Sequence, residues 1–144
     1  MVTIVIADVG LGPIARDPAI PLLVSVGLFV AIVMIEGAVL WAFRRKSLGR
    51  SLLHALIMNL VSTVIGVVLT ALYFLLISQI LVSAPAALRV GLFLLSTWVS
   101  SVLIEGLVLL GLKWENQLKT WQAVMVANAL SYILLGLVTV GILR

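Results

Sequence analysis

Two carboxyls, two amides and two hydroxyls, all set in apolar runs, are the side chains here with the most chemical potential. Glu36 lies within Ile35-Glu36-Gly37, and the triplet returns as Ile104-Glu105-Gly106 69 positions later. Each copy is followed at the same distance by an amide and a hydroxyl: Asn59 and Ser62 first, then Asn128 and Ser131. A carboxyl at membrane depth is costly unless paired or hydrated, which makes it a functional-site candidate by default. Two carboxyls flanked by amide and hydroxyl oxygens suit a proton or a hard, oxygen-seeking cation. The same groups also suit packing, with a protonated Glu donating to an Asn carbonyl and fixing one helix against the next. Interhelical hydrogen bonds in membranes average only about 0.6 kcal/mol, so packing alone offsets little of the cost of burial. Yet duplication by itself would carry a polar pair into both halves. The spacing leaves both readings open.

Other chemistry has less to build on. There are no cysteines, which removes disulfides, thiol catalysis and thiolate metal sites. No phosphate-cradling loop, dinucleotide fingerprint, nucleophile–His–acid arrangement or His/Cys metal cluster is present. We therefore expect no enzymatic activity and no cofactor. A bound lipid, pigment or cation is compatible with the residues, and no particular metal is indicated. His54 is the only histidine, and its counterpart 69 positions on is Ala123, so a symmetric proton relay is not expected of it.

The elements that must position these groups follow from composition. The chain has 144 residues, 64% hydrophobic and 10% charged, with a mean hydropathy of +1.35. Soluble domains run near half apolar and about a quarter charged, so an all-α membrane protein is expected. At ~20 residues per span, the length accommodates four helices. Apolar stretches run over about 20–43, 51–81, 88–112 and 120–143. Residues 1–19 contain Asp8, Gly10, Gly12, Pro13 and the turn Arg16-Asp17-Pro18. They have no basic n-region and read as an interfacial segment, neither a signal peptide nor a fifth span.

The four spans fall into two hairpins, 20–82 and 88–144. Shifting the sequence by 69 positions superposes the Ile-Glu-Gly triplets and brings Asn59, Ser62 and Thr70 onto Asn128, Ser131 and Thr139. The expected fold is a four-helix transmembrane bundle of two tandem-duplicated hairpins. Each repeat holds an even number of spans, so the pseudo-twofold runs along the membrane normal. Small pairs also recur in register, Gly27/Ala31 and Ser96/Ser100, and permit close helix approach.

The net charge of +4 lies mostly in one turn, where Arg44, Arg45, Lys46 and Arg50 face no acid. That is a topology signal and no nucleic-acid footprint: positive-inside bias places both hairpin turns in the cytoplasm and both termini outside. Trp41, Trp114 and Trp121 fall at the cytoplasmic ends as an interfacial belt, while Trp98 lies deeper, beside an interface, a lipid or a pigment. Within each hairpin the midpoint between Glu and Asn lies in the turn. At 1.5 Å per residue, Glu36 and Asn59 are level, as are Glu105 and Asn128, with each Ser one turn deeper. Two functions of different class are compatible. One is a non-catalytic subunit or homo-oligomer packing within a larger membrane assembly, its partners being lipid, other membrane subunits or itself. The other is a small ion or proton channel or transporter using Glu36, Glu105, Asn59 and Asn128.

Overall fold

The structure is a computed structural model that describes residues 19–44, 47–73, 75 and 83–142. Four α-helices account for nearly all of it: α1 (Ala19–Arg44), α2 (Leu48–Leu72), α3 (Ala86–Gly111) and α4 (Gln117–Ile142). Each contains a stretch of more than twenty residues long and apolar enough to cross a membrane. A 26-residue helix such as α1 is about 39 Å long, more than the hydrocarbon core requires. The segment 1–18, residues 45–46, and the part of the second apolar stretch at 76–82 lie outside the described residues. Arg45 and Lys46 of the basic turn are therefore not placed, whereas Arg44 closes α1 and Arg50 sits in the first turn of α2. The second helix begins three residues before the expected Ser51.

Local chemistry sets the helix boundaries. Pro85 (φ −54°, ψ 142°) precedes α3; its ring fixes φ and it has no N–H to satisfy. At the other end of α3 the chain closes as a Schellman turn. Lys113 takes a left-handed conformation at φ 51°. Its N–H donates to Leu110 O at 3.0 Å, and the Trp114 N–H donates to Leu109 O at 3.1 Å. This reversal folds Trp114 back into the bundle, where it is 1% exposed beside the fully buried Leu109. Asn116 then caps α4, its Oδ1 accepting the Lys119 N–H at 3.0 Å, the usual third-residue capping geometry.

The helices form a ring. α1 packs against α2 and α4, and α3 packs against the same two. Burial is concentrated between the polar layer and the two turns, where Leu40, Ala55, Met58, Leu109, Trp114, Ala123 and Val124 form one apolar cluster. Beyond the polar layer, away from the turns, the buried residues among those described reduce to Leu28, Thr70 and Val102, the last joined to the same apolar cluster. The bundle is tight at its turn end and looser at the other. Two glycines govern the tight end. A Cβ on Gly37 would overlap the Leu52 side chain and press its Cα at 3.1 Å, and one on Gly106 would overlap the Trp121 ring.

The tryptophans depart from the expected belt. Trp41 is exposed, but Trp114 is buried and Trp121 is half-buried over Gly106. Trp98 packs on the core cluster, so it is a bundle residue. A belt position assumes that a tryptophan near a helix end points outward. The Schellman turn reverses that for Trp114, and the glycine notch does so for Trp121.

Candidate functional site

The six polar residues singled out from the sequence meet in one layer. Asn59 Nδ2–H donates to Glu36 Oε2 at 2.5 Å, and Asn128 Nδ2–H donates to Glu105 Oε2 at 2.6 Å. Each of these bonds stays within one hairpin. The serines cross over. Ser131 O–H donates to Glu36 Oε1 at 2.7 Å, and Ser62 O–H donates to Glu105 Oε1 at 2.9 Å. Every carboxyl thus takes one donor from its own hairpin and one from the other. The six side chains link α1, α2, α4 and α3 in a closed circuit.

The orientation of the amides follows from the bonds they make. Asn59 Nδ2 also donates to Ala55 O at 2.9 Å, and Asn128 Nδ2 to Val124 O at 3.2 Å. A carbonyl oxygen can only accept, so the amide nitrogens face it and the carboxyls alike. This reverses the polarity of the bond expected from the sequence, in which Glu donates to an Asn carbonyl. The reason is geometric: back-bonding to the helix four residues earlier turns the NH2 group into the layer.

Burial is nearly complete. Glu36, Glu105 and Asn128 are 1–2% exposed, Ser131 4% and Asn59 7%, while Ser62 is half-buried. Polar groups removed from water cost free energy unless they are bonded, and here each carboxyl oxygen has a donor. An N–H or O–H donor faces each of the four carboxyl oxygens. Among the described residues, no three His, Cys, Asp or Glu side chains cluster as a metal site.

The two oxygens of each carboxyl are chemically different. Oε2 faces an amide nitrogen, which only donates, and must therefore remain an acceptor. Oε1 faces a serine, which can donate or accept. A proton on Oε1 would be accommodated by turning the serine hydroxyl round, with no other rearrangement. At Glu105 the displaced Ser62 proton has a second acceptor, Asn59 O at 3.2 Å, so that carboxyl keeps its hydrogen bonds whether ionised or neutral.

The remaining candidates lie elsewhere. Gly27 is exposed, and a Cβ there would meet nothing within 4 Å. Ala31 is half-buried, Ser96 is exposed and bonded back to Phe93 O at 2.8 Å, and Ser100 is half-buried. The close approaches inside the bundle are made by Gly37 and Gly106, whose place beside each Glu was a signal available in the sequence. His54 is half-buried near the turn, with Nδ1 lacking a hydrogen-bond partner among the described residues. Arg44 Nε lies 3.7 Å from Glu115 Oε1, tying the end of α1 to the α3–α4 turn.

The sequence did not reveal a cleft between α2 and α3. It has a volume of about 250 Å³ and opens to the outside of the bundle. Ser62, Gly66 and Thr70 form part of one wall, and Thr97, Ser100 and Ser101 part of the other. Ser62 therefore belongs both to the polar layer and to the cleft.

No protein-family model matches the chain, and no curated protein or solved structure shows significant similarity to it. The site's own geometry must carry any functional reading.

Proposed function

We propose that the chain is a non-catalytic integral membrane protein that packs as an accessory or structural subunit within a larger membrane assembly. In this reading it crosses the bilayer four times, with both turns cytoplasmic and both termini outside. Its two hairpins descend from one duplicated unit, related by a pseudo-twofold along the membrane normal. The observation that carries the reading is the crossed bonding of the layer. Both carboxyls are spent on internal donors, one from each hairpin, so the layer binds the bundle together and leaves an apolar exterior for lipid and neighbouring subunits. Large exposed side chains occur on all four helices, among them Leu23, Val64, Leu107 and Leu137. The duplication is supported by the matched bonds: the same pair of residue types, 23 positions apart, is hydrogen-bonded in each half.

Native mass spectrometry of protein gently extracted from its own membrane tests this reading. A stable complex with other chains, or with further copies, is the expected result. A lone monomer in several mild detergents would overturn it.

A second reading is a small proton or ion channel or transporter built on Glu36, Glu105, Asn59 and Asn128. One observation favours it: the serine that holds Glu105 also lines an open cleft. Flux into liposomes tests it, with Glu36→Gln and Glu105→Gln as the comparison. Unchanged flux in both variants, or none from the wild type, would remove it.

A further inference from the structure

The cleft between α2 and α3 contains one anomaly. Thr70 is 5% exposed and lines the cleft, yet its hydroxyl has no hydrogen-bond partner among the described residues. A buried hydroxyl without a partner is uncommon and points to an ordered water or another polar group at that place. The walls are mostly apolar, with Leu69, Leu72, Phe93 and Ile104 among them, but they also carry hydroxyls that could hold water. Ser96 and Thr97 give their protons to Phe93 O and Leu94 O at 2.8 and 3.0 Å, leaving oxygen lone pairs as acceptors. Ser100 and Ser101 add hydroxyls to the same wall. A water takes about 30 Å³ in the liquid and needs two to four polar partners, so 250 Å³ has room for several.

The sequence of the other half differs at most of the matching positions, although Thr70 falls on Thr139 and Ser62 on Ser131. In the 69-residue register, Ser96, Thr97, Ser100 and Ser101 fall on Gly27, Leu28, Ala31 and Ile32. Gly66 falls on Leu135 and Tyr73 on Ile142. Apart from those two hydroxyls, the positions that would border a matching cleft beside Glu36 are almost wholly aliphatic. The hydroxyls at the two carboxyls differ too. Ser131 is buried and is bonded to Glu36. Ser62 is half-buried and has two acceptors within reach, Glu105 Oε1 at 2.9 Å and Asn59 O at 3.2 Å. It has one proton and can serve only one of them at a time.

We propose that the α2–α3 cleft is a water-filled access route that exchanges protons with Glu105 past Ser62, while Glu36 is sealed. The step is simple. The Ser62 hydroxyl swings to Asn59 O and frees Glu105 Oε1. A hydronium in the cleft then gives its proton to that oxygen, leaving water and a neutral carboxyl, and Ser62 turns to accept from the new O–H. Reversal returns the proton to the same water. The inference rests on the second functional reading only for its purpose, since hydration of the cleft is a property of the resting protein.

The absence of cysteine makes the test direct. Single cysteines are introduced in the cleft (Thr70→Cys, Thr97→Cys, Ser101→Cys) and at the register mates Leu28→Cys and Ile32→Cys. The probe is a small, charged, membrane-impermeant methanethiosulfonate, applied to protein in liposomes. It reacts with the thiolate, which forms only where water reaches. We expect the cleft cysteines to react roughly tenfold or more faster than the mates, on the order of the thiolate fraction gained with water. Glu105→Cys should likewise outpace Glu36→Cys.

Cleft cysteines as slow as Leu28→Cys and Ile32→Cys would mean that lipid or a neighbouring helix fills the cleft, and would overturn the proposal. Equal rates at Glu105→Cys and Glu36→Cys would overturn its one-sidedness. If the variants at the carboxyls or Thr70 do not fold, Thr97 and Ser101 remain decisive, because neither contributes to the polar layer. Labelling reads water whether or not the protein carries flux. Labelling without flux would therefore reject transport and retain the access route, and flux without labelling would do the opposite.

Discussion

Substituting Glu36 separates the need for a hydrogen-bonding group from the need for a charge. In Glu36→Gln the amide oxygen can keep the Asn59 NH2, and the new amide nitrogen can donate to Ser131, which turns from donor to acceptor. Both contacts of residue 36 survive. The Ser131 proton must turn to its own helix and the second amide N–H gains no acceptor, so the cost should be about 1 kcal/mol. Glu36→Leu has almost the same volume but leaves Ser131 and one Asn59 N–H unanswered. An unsatisfied buried polar group costs about 1–3 kcal/mol. Ser131 can recover part by bonding to its own helix, and Asn59 keeps its bond to Ala55 O. A net loss of about 2 kcal/mol follows, roughly thirtyfold in the folded-to-unfolded ratio. Unfolding by sodium dodecyl sulfate in mixed micelles, followed by tryptophan fluorescence, should resolve the difference, since Trp114 is buried in the core. If Glu36→Gln falls as far as Glu36→Leu, the layer depends on a negative charge, and the donor–acceptor reasoning is wrong.

Three further outcomes are expected by the same assay. Gly106→Ala should cost about 1–3 kcal/mol through overpacking and be largely relieved by Trp121→Leu, because the overlap is with a side chain. Gly37→Ala should be rescued less by Leu52→Ala, since Leu52 Cα itself lies 3.1 Å from the added Cβ; equal rescue would sink this account. Lys113→Gly should stabilise by about 0.5–1 kcal/mol, because φ 51° carries a penalty for any residue with a Cβ, and an unchanged midpoint would count against it. Glu115→Gln should cost at most about 1 kcal/mol, and the loss should shrink in high salt; a salt-independent loss would mean the Arg44 contact is not the cause.

Much of the architecture could be read from apolar run lengths alone, because a run of more than twenty such residues has few alternatives to a membrane-length helix. The level placement of Glu36 with Asn59, and of Glu105 with Asn128, followed from counting residues either side of each turn. Helix rotation did not. Asn59, Ser62 and Thr70 mark a polar stripe on α2, and Asn128 and Ser131 one on α4. The helices are otherwise apolar around most of their circumference, and a stripe does not show which carboxyl each serine meets. That is why the crossing of Ser62 and Ser131 to the opposite carboxyl was not legible. Nor was the direction of the amide bonds, which depends on back-bonding to Ala55 and Val124. Trp114 shows a third limit: a left-handed Lys113 reverses the chain, and nothing in the residue itself signals that turn.

The crossed serines also bear on biogenesis. Glu36 accepts a proton from Ser131, 95 residues later in the chain. In the proposed membrane reading, with helices inserting in chain order, α1 and α2 enter the bilayer with Asn59 available to Glu36 and its second partner not yet made. Until α4 emerges, the first hairpin carries an exposed carboxyl oxygen in an apolar surround. That is a reason for the insertion machinery to retain it, and for its release to wait on the last helix. Shortening the chain before Ser131 should prolong that retention, so that the same bond which closes the bundle also marks its completion to the cell.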